Sequence, residues 1–340
     1  MMRQTWAILL DAYRELNARR LFWITLALSA LVVLVFALLG VSDAGELTIA
    51  GFEVSLGMGM LEAEAMYKGL FVHFGIGFWL SWLAAILALV STAGIFPELI
   101  SSGSVAMVMS KPIGRVRLFL TKYAGGLLFV TLQVSVFTLA SFLVLGLRAG
   151  LWEPGLLLAI PLVVLFFSYL FCVCVLLGLI TRSTIAALLL TLLVWFGFWA
   201  VHTTETTILQ FRVGAEQEIA RIEAGIERRL GGDVDARQRE REQAQRQLDN
   251  LSLAHRIAIG AATVLPKTGE TIDLLRQALY ETTTFEQHDE DRANQWQQQQ
   301  QAALDEAMRQ RSAWWIIGSS LGFEAVILVL AAWLFHRRDF

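Results

Sequence analysis

The sequence predicts an all-α polytopic membrane protein with six transmembrane helices, an amphipathic interfacial helix at the N-terminus and a helical extracytoplasmic insert between spans five and six. Two observations come from composition: 56% of the 340 residues are apolar and 17% are charged. The third is a set of six long apolar runs, at 21–40, 69–97, 123–147, 154–181, 183–204 and 312–335. Each run can cross about 30 Å of hydrocarbon as a helix, which excludes a soluble enzyme.

Positive charges are distributed unevenly between alternate loops, which predicts the orientation. One side carries Arg3, Arg14, Arg19, Arg20, Lys111, Arg115, Arg117, Lys122, Arg182, Arg337 and Arg338. The short loops of the other side carry only Lys68 and Arg148. Because positive loops stay cytoplasmic, both termini are predicted to be cytoplasmic. The membrane is expected to be a plasma membrane, of the bacterial inner-membrane type. The tail 336–340 is then cytoplasmic, and the first run is too long for a cleaved signal peptide.

The N-terminal residues 1–20 have helical periodicity. Apolar side chains recur three and four residues apart, from Trp6 to Leu16, and Asp11, Arg14 and Glu15 lie opposite. This pattern predicts an amphipathic helix in the cytoplasmic interface, with a solvated leader helix as the alternative.

Residues 205–311 are polar and highly charged, which predicts a helical domain outside the membrane. An isoleucine stripe over 219–226 ends at Gly231 and Gly232, and Asp233 can cap a second helix, so the two would form a hairpin. The more apolar stretch 253–280 predicts either an interfacial or re-entrant helix pair or ordinary packing within the domain. Residues 286–311 are either another polar helix or a low-complexity segment.

The segment between spans two and three predicts a short rigid helix at 98–115. Glu98 begins it, Pro112 ends it, and Gly114 permits a tight turn before Arg115. Such a helix is suited to transmitting a push from a soluble partner, although a plain interfacial loop fits the same residues.

This segment resembles the corresponding one of type-2 ABC exporter permeases, six-span subunits in which it reads approximately E..SGT...LLSKP.SR. The matching positions are Glu98, Ser102, Gly103, Ser110, Lys111, Pro112 and Arg115, with Ser104 where the family usually has threonine. The resemblance extends over residues 1–204 and 312–340, whereas the polar insert is longer than in many members.

The resemblance implies a homodimer or heterodimer of permease subunits that moves a hydrophobic or amphiphilic substrate outward. Each subunit would dock an ABC ATPase through Glu98, Gly103, Ser110, Lys111, Pro112 and Arg115. The chain contains no GxxxxGK phosphate loop, so it needs no cofactor of its own, and ATP and magnesium would bind to the separate ATPase. The chain itself is therefore expected not to be an enzyme.

Glu324 is the only charged residue within the six apolar runs. A carboxylate there costs about 2.5–3.5 kcal/mol on insertion scales, so it should face the protein interior or water. Counting along each span places Ser81, Gln133, Ser168 and Thr191 at a similar depth, which predicts a polar layer. The layer could serve a substrate or proton, or only fix helix contacts. Unchanged transport and assembly after Glu324→Gln would remove the functional role.

Other functions compete with export. The chain could be a non-transporting scaffold that relays ATPase motion through 205–311 to an extracytoplasmic partner, or an ion-coupled carrier using Glu324. An intramembrane enzyme is disfavoured because no catalytic or metal-ligand cluster occurs in the spans. No nucleic-acid partner is expected, and membrane lipid surrounds the spans.

Several conspicuous residues are expected to have no chemical role. Cys172 and Cys174 lie on different helix faces, and His73 and His202 are expected to pack at the interface. The acidic QHDED at 287–291 is interpreted as a solvated cluster, and LPKTG at 265–269 as a turn.

Overall fold

The computed structural model of the protein describes residues 20–41, 47–49, 52–54, 66–101, 114–227, 234–280 and 312–337. These residues belong to two compact units. Unit 1 draws on positions 1–195, 270–284 and 324–340, and unit 2 on positions 196–269 and 285–323. The predicted interfacial helix at 1–20 falls almost wholly outside the described residues, as do the segment 286–311 and the QHDED cluster.

Five helical segments in the described part of the chain are long and apolar enough to cross a membrane. They are Met66–Ile100, Arg115–Ala149, Pro154–Thr181, Thr184–Ala220 and Ala313–Arg337. The first predicted span coincides with a shorter apolar helix, Phe22–Leu38. The helical, polytopic fold class is therefore confirmed, whereas the number of six spans stays a prediction.

The described part of the first half of the chain is mainly helical. Helix α1 is Arg20–Leu38, a π-helix covers Phe71–Leu83, and α2 (Ala84–Thr92) and α3 (Ile95–Ser101) follow it. Helix α4, Arg115–Ala149, starts after the extended Gly114. It therefore begins eight residues before the apolar run at 123–147. The helix ends at Gly150, whose φ of 68° is in the left-handed region that glycine adopts without strain.

The second half begins with a 3₁₀ turn at Pro154–Leu158, with proline at its start, where a missing amide proton does no harm. Helix α5 is Ala159–Thr181 and ends at Arg182, which has a positive φ of 55°. Helices α6 (Thr184–Glu227), α7 (Val234–Val264), α8 (Thr268–Tyr280) and α9 (Ala313–Arg337) follow in the described part of the chain. Helix α6 thus continues well beyond Thr204, where its apolar run ends.

A small antiparallel sheet, which the sequence did not predict, accompanies the helices. Strands β1 (Leu39–Val41), β2 (Leu47–Ile49) and β3 (Phe52–Val54) pair in the order β1-β2-β3. Gly40 pairs with Thr48, so the first predicted span ends two residues early, at Leu38. These stretches are rich in β-branched and aromatic residues and too short for a stable helix, which explains the strands.

The helices of unit 1 alternate in direction. At one end, called here the Arg115 end, the Arg115 guanidinium donates to the carbonyl oxygen of His336 at 2.9 Å. At the other, called the Glu153 end, the Tyr67 hydroxyl donates to Phe36 O at 2.8 Å and Arg148 Nε to Leu39 O at 3.4 Å. Both ends therefore bring together residues from helices distant in sequence.

Unit 2 contains an antiparallel helix pair. Arg241 of α7 forms an ion pair with Glu223 of α6, and His255 Nδ1 of α7 lies 3.2 Å from a nitrogen of Arg212 on α6. The two helices thus form the hairpin predicted around Gly231 and Gly232, residues that lie outside the described ones.

The LPKTG stretch is a turn between α7 and α8, as the sequence indicates. The Lys267 amide donates to Ser320 Oγ at 2.9 Å, and the Lys267 ammonium lies 5.2 Å from the Trp315 ring centroid. This turn is therefore tied to the first turns of α9 within unit 2.

Candidate coupling and intramembrane sites

The predicted coupling segment is described only at its two edges. Glu98 lies in the first turn of α3, which begins at Ile95 rather than at Glu98, and its side chain is exposed. Arg115 begins α4. Four of the predicted docking residues, Gly103, Ser110, Lys111 and Pro112, lie outside the described residues, together with Ser102 and Ser104.

Helix α3 is fixed to the rest of unit 1 by a group of three rings, called here the Phe96 cluster. Phe96 lies 5.1 Å from Phe119 of α4 and 6.5 Å from Phe335 of α9, and these two are 5.9 Å apart, centroid to centroid. All three side chains are at most 1% exposed. Such tilted and edge-to-face pairs add to the energy of area burial. Helix α3 is therefore packed on two other candidate spans.

Helix α5 holds the same segment from another side. A Cβ atom built on Gly178 of α5 would lie only 3.2 Å from Cγ of Pro97. Glycine thus allows α3 and α5 to approach closely. The short helix that leads into the coupling segment is in contact with three candidate spans, α4, α5 and α9.

Glu324 is buried, at 7% exposure, and both of its carboxylate oxygens accept hydrogen bonds. Tyr123 of α4 donates its hydroxyl to Oε1 at 2.7 Å, and Ser168 of α5 donates to Oε2 at 2.8 Å. The Tyr123 ring stacks on Phe171 at 5.0 Å. This Glu324 site joins α4, α5 and α9 by hydrogen bonds from two neutral donors.

Of the predicted polar layer, only Ser168 contacts Glu324. Ser81 donates to Ile76 O, and Thr191 donates to Ala187 O, so both are satisfied within their own helices. Gln133 lies ten residues beyond Tyr123 on α4, about 15 Å along the axis. A single polar layer that includes Gln133 therefore stays a prediction. Depth along α4 has to be counted from Arg115, where the helix begins beside His336 of α9, and not from Tyr123, where the apolar run begins.

A buried ion pair at the Glu153 end was not foreseen. Lys68 Nζ lies 2.6 Å from Glu153 Oε1, and the side chains are 2% and 10% exposed. Glu153 Oε2 has no hydrogen-bond partner among the described residues. The sequence contained one signal for this pair, since the two opposite charges flank spans two and four on the same predicted side.

The remaining conspicuous residues take packing positions. His73 is exposed and forms an edge-to-face pair with Phe74 at 5.1 Å. The Cβ position of Gly269 is 2.7 Å from the ring of His202, so the two are in close contact within unit 2. Cys172 and Cys174 are buried free thiols.

Apolar helices that alternate in direction, with a charged segment between the second and third predicted spans, define a polytopic helical membrane protein. The chain belongs to the ABC-2 family of transporter proteins, whose family model matches residues 11–340. The predicted type-2 ABC permease is therefore confirmed. Membership makes the chain a membrane permease component of an ABC transporter, with an ABC ATPase subunit as its partner. No curated protein sequence matches the chain.

Proposed function

We propose that this permease is part of an exporter that moves a hydrophobic or amphiphilic substrate outward, driven by ATP hydrolysis in the separate ATPase. Residues 98–115 and both termini then face the cytoplasm, and 205–311 lies outside. A second permease subunit completes the pathway. The observation that carries this proposal is the Phe96 cluster, because it connects the coupling segment to the spans.

The Phe96 cluster supports a mechanical route from the ATPase to the membrane. Close-packed interiors transmit displacement because they have few voids to absorb it. A push on the segment after Ser101 displaces α3, and Phe96 and Pro97 pass the displacement to α4, α5 and α9. Those are the three helices that the Glu324 site links by hydrogen bonds. ATPase closure would therefore move the three spans together.

Reconstitution of the permease with its ATPase in proteoliposomes tests this route. With ATP added only to the outside, complexes whose ATPase faces outward should accumulate a fluorescent phospholipid analogue in the inner leaflet. Phe96→Leu leaves a partly filled space between α3, α4 and α9, so transport per ATP hydrolysed should fall while the ATPase still copurifies.

The matched control is Phe74→Leu, because Phe74 is 53% exposed. It should leave coupling unchanged. Equal coupling in the two variants would contradict transmission through the Phe96 cluster. Movement of the analogue in the opposite direction would contradict export.

A relay function is the second candidate, and the hairpin of unit 2 favours it. A groove of about 470 Å³ between α6 and α7 is lined by residues that include Phe211, Val213 and Ala244. Phe211 is 64% exposed, so an apolar side chain in this groove is accessible to a partner.

Deletion of 210–250 separates the two candidates. If the relay is correct, the deletion abolishes binding of an extracytoplasmic partner and leaves the permease assembled with its ATPase. If export is correct, lipid-stimulated ATP hydrolysis and lipid movement persist in the shortened protein.

A further inference from the structure

Three buried polar side-chain atoms on α4 have no hydrogen-bond partner among the described residues. They are Oε1 of Gln133, Oγ1 of Thr138 and Oγ of Ser141. Their exposures are 4%, 0% and 1%. Buried polar atoms in proteins nearly always have a partner, and within a membrane the requirement is stricter because bulk water is absent.

The two hydroxyls differ from others on the same helix. Thr131 donates to the carbonyl oxygen of Leu127 at 2.8 Å, four residues earlier, which is the usual solution for a helical threonine. Every residue of α4 after the first turn has such a carbonyl within reach. Thr138 and Ser141 do not bond to theirs, so both hydroxyls can bond to another partner.

The Gln133 side chain borders a small cavity. Its walls include Ser29 of α1, Leu80 of the π-helix, and Val134 and Phe137 of α4. The cavity offers about 10 Å³ to the centre of a water-sized molecule, which is room for one water. Ser29 and Gln133 are the two polar residues in a wall that is otherwise apolar, so the occupant must be small and must be able to donate a hydrogen bond.

We propose that α4 binds ordered water at two places on its buried side. One water molecule occupies the cavity and donates to Gln133 Oε1, with Ser29 as its second polar neighbour. Another bridges Thr138 and Ser141, whose side chains are three residues apart and therefore adjacent on the helix surface. Water both donates and accepts, so it satisfies an amide oxygen at the first place and two hydroxyls at the second.

Radiolytic hydroxyl-radical footprinting of the full-length protein in lipid nanodiscs tests the cavity water. X-rays generate radicals from bound water, which modify side chains next to it. Phe137 borders the cavity and is 2% exposed, whereas Phe119 is 0% exposed in the Phe96 cluster. We expect modification of Phe137 and none of Phe119. Equal modification of the two residues would overturn the proposal.

Two variants test whether the modification of Phe137 depends on the Gln133 side chain. Gln133→Leu should abolish modification of Phe137, and Thr131→Val should leave it unchanged because Thr131 is satisfied by Leu127. Persistence of the signal in folded Gln133→Leu protein would contradict the assignment.

A high-resolution cryo-EM map of the unsubstituted protein provides a measurement that does not depend on the variants. Density should appear within about 3.2 Å of Gln133 Oε1, and a second peak should appear between Thr138 and Ser141. Clear side chains without these peaks would also overturn the proposal.

Discussion

Two of the carboxylates buried in unit 1, those of Glu153 and Glu324, are held in different ways. Glu153 has a cationic partner, Lys68, but one of its oxygens has no partner among the described residues. Glu324 has two neutral hydroxyl donors and both oxygens are satisfied. The comparison shows that charge neutralisation and hydrogen-bond satisfaction are separate requirements. The first pair depends on Coulombic attraction, and the second site depends on donor geometry.

The largest expected loss of stability comes from removing the Lys68 ammonium. Lys68→Met leaves the Glu153 carboxylate buried without a counter-ion, which costs about 3–5 kcal/mol of unfolding free energy. Equilibrium unfolding in mixed micelles measures it. The double variant Lys68→Met/Glu153→Met should recover most of the loss, because no charge then remains buried. A double variant as unstable as Lys68→Met would show that the pair is not the cause.

Removing a neutral donor from Glu324 should have a smaller effect. Tyr123→Phe keeps the ring that stacks on Phe171 but deletes the hydroxyl that donates to Oε1, which costs about 1–3 kcal/mol. The same unfolding measurement applies. Combining it with Glu324→Gln should give less than the sum of the single losses, since the two groups are in contact. Full additivity would argue against the hydrogen bond.

Packing next to the Glu324 site provides the third test. A Cβ atom at Gly126 would lie 2.7 Å from the Phe171 ring and 3.3 Å from Ile95 Cδ1. Gly126→Ala should therefore destabilise the protein by about 1–2 kcal/mol through overpacking. The matched control is Gly197→Ala, because no atom lies within 4 Å of that position, and it should be neutral or stabilising by up to about 1 kcal/mol. Equal melting temperatures for the two variants would refute the close approach.

The smallest effect is expected for the ion pair in unit 2. The Arg241 and Glu223 side chains are 54% and 46% exposed. Exposed pairs contribute about 0–1 kcal/mol, so Arg241→Gln should change stability far less than Lys68→Met. Raising the salt concentration should remove the remaining difference in stability between Arg241→Gln and the unsubstituted protein. A loss as large as that of Lys68→Met would break the distinction between the buried and exposed pairs.

The sequence predicted a helix at each apolar run because such runs have one stable arrangement in lipid, the helix. The coupling segment stays a prediction, because residues 102–113 lie outside the described ones. The sequence did not predict the strands at 39–54, where runs of three residues carry no usable periodicity.

The contacts of the sites depended on tertiary packing. Ser168 could be placed near Glu324 because both are near the middle of uninterrupted apolar runs. Tyr123 was missed because it directly follows Lys122, at what seemed to be the membrane surface. The Lys68–Glu153 pair joins residues 85 positions apart, and no local pattern encodes such a pairing.

The two-residue connection between α5 and α6 has a consequence for how the chain enters the membrane. Arg182 has φ 55°, and its amide donates to Gly178 O at 3.0 Å, a left-handed helix end at which glycine is the usual residue. A residue with a side chain is less stable there by about 1–2 kcal/mol. Glycine would relieve this strain, but it would remove the only formal charge between the two spans. A cation therefore occupies a backbone position that favours glycine, and in the proposed orientation it adds to the positive charge that holds this connection on the cytoplasmic side.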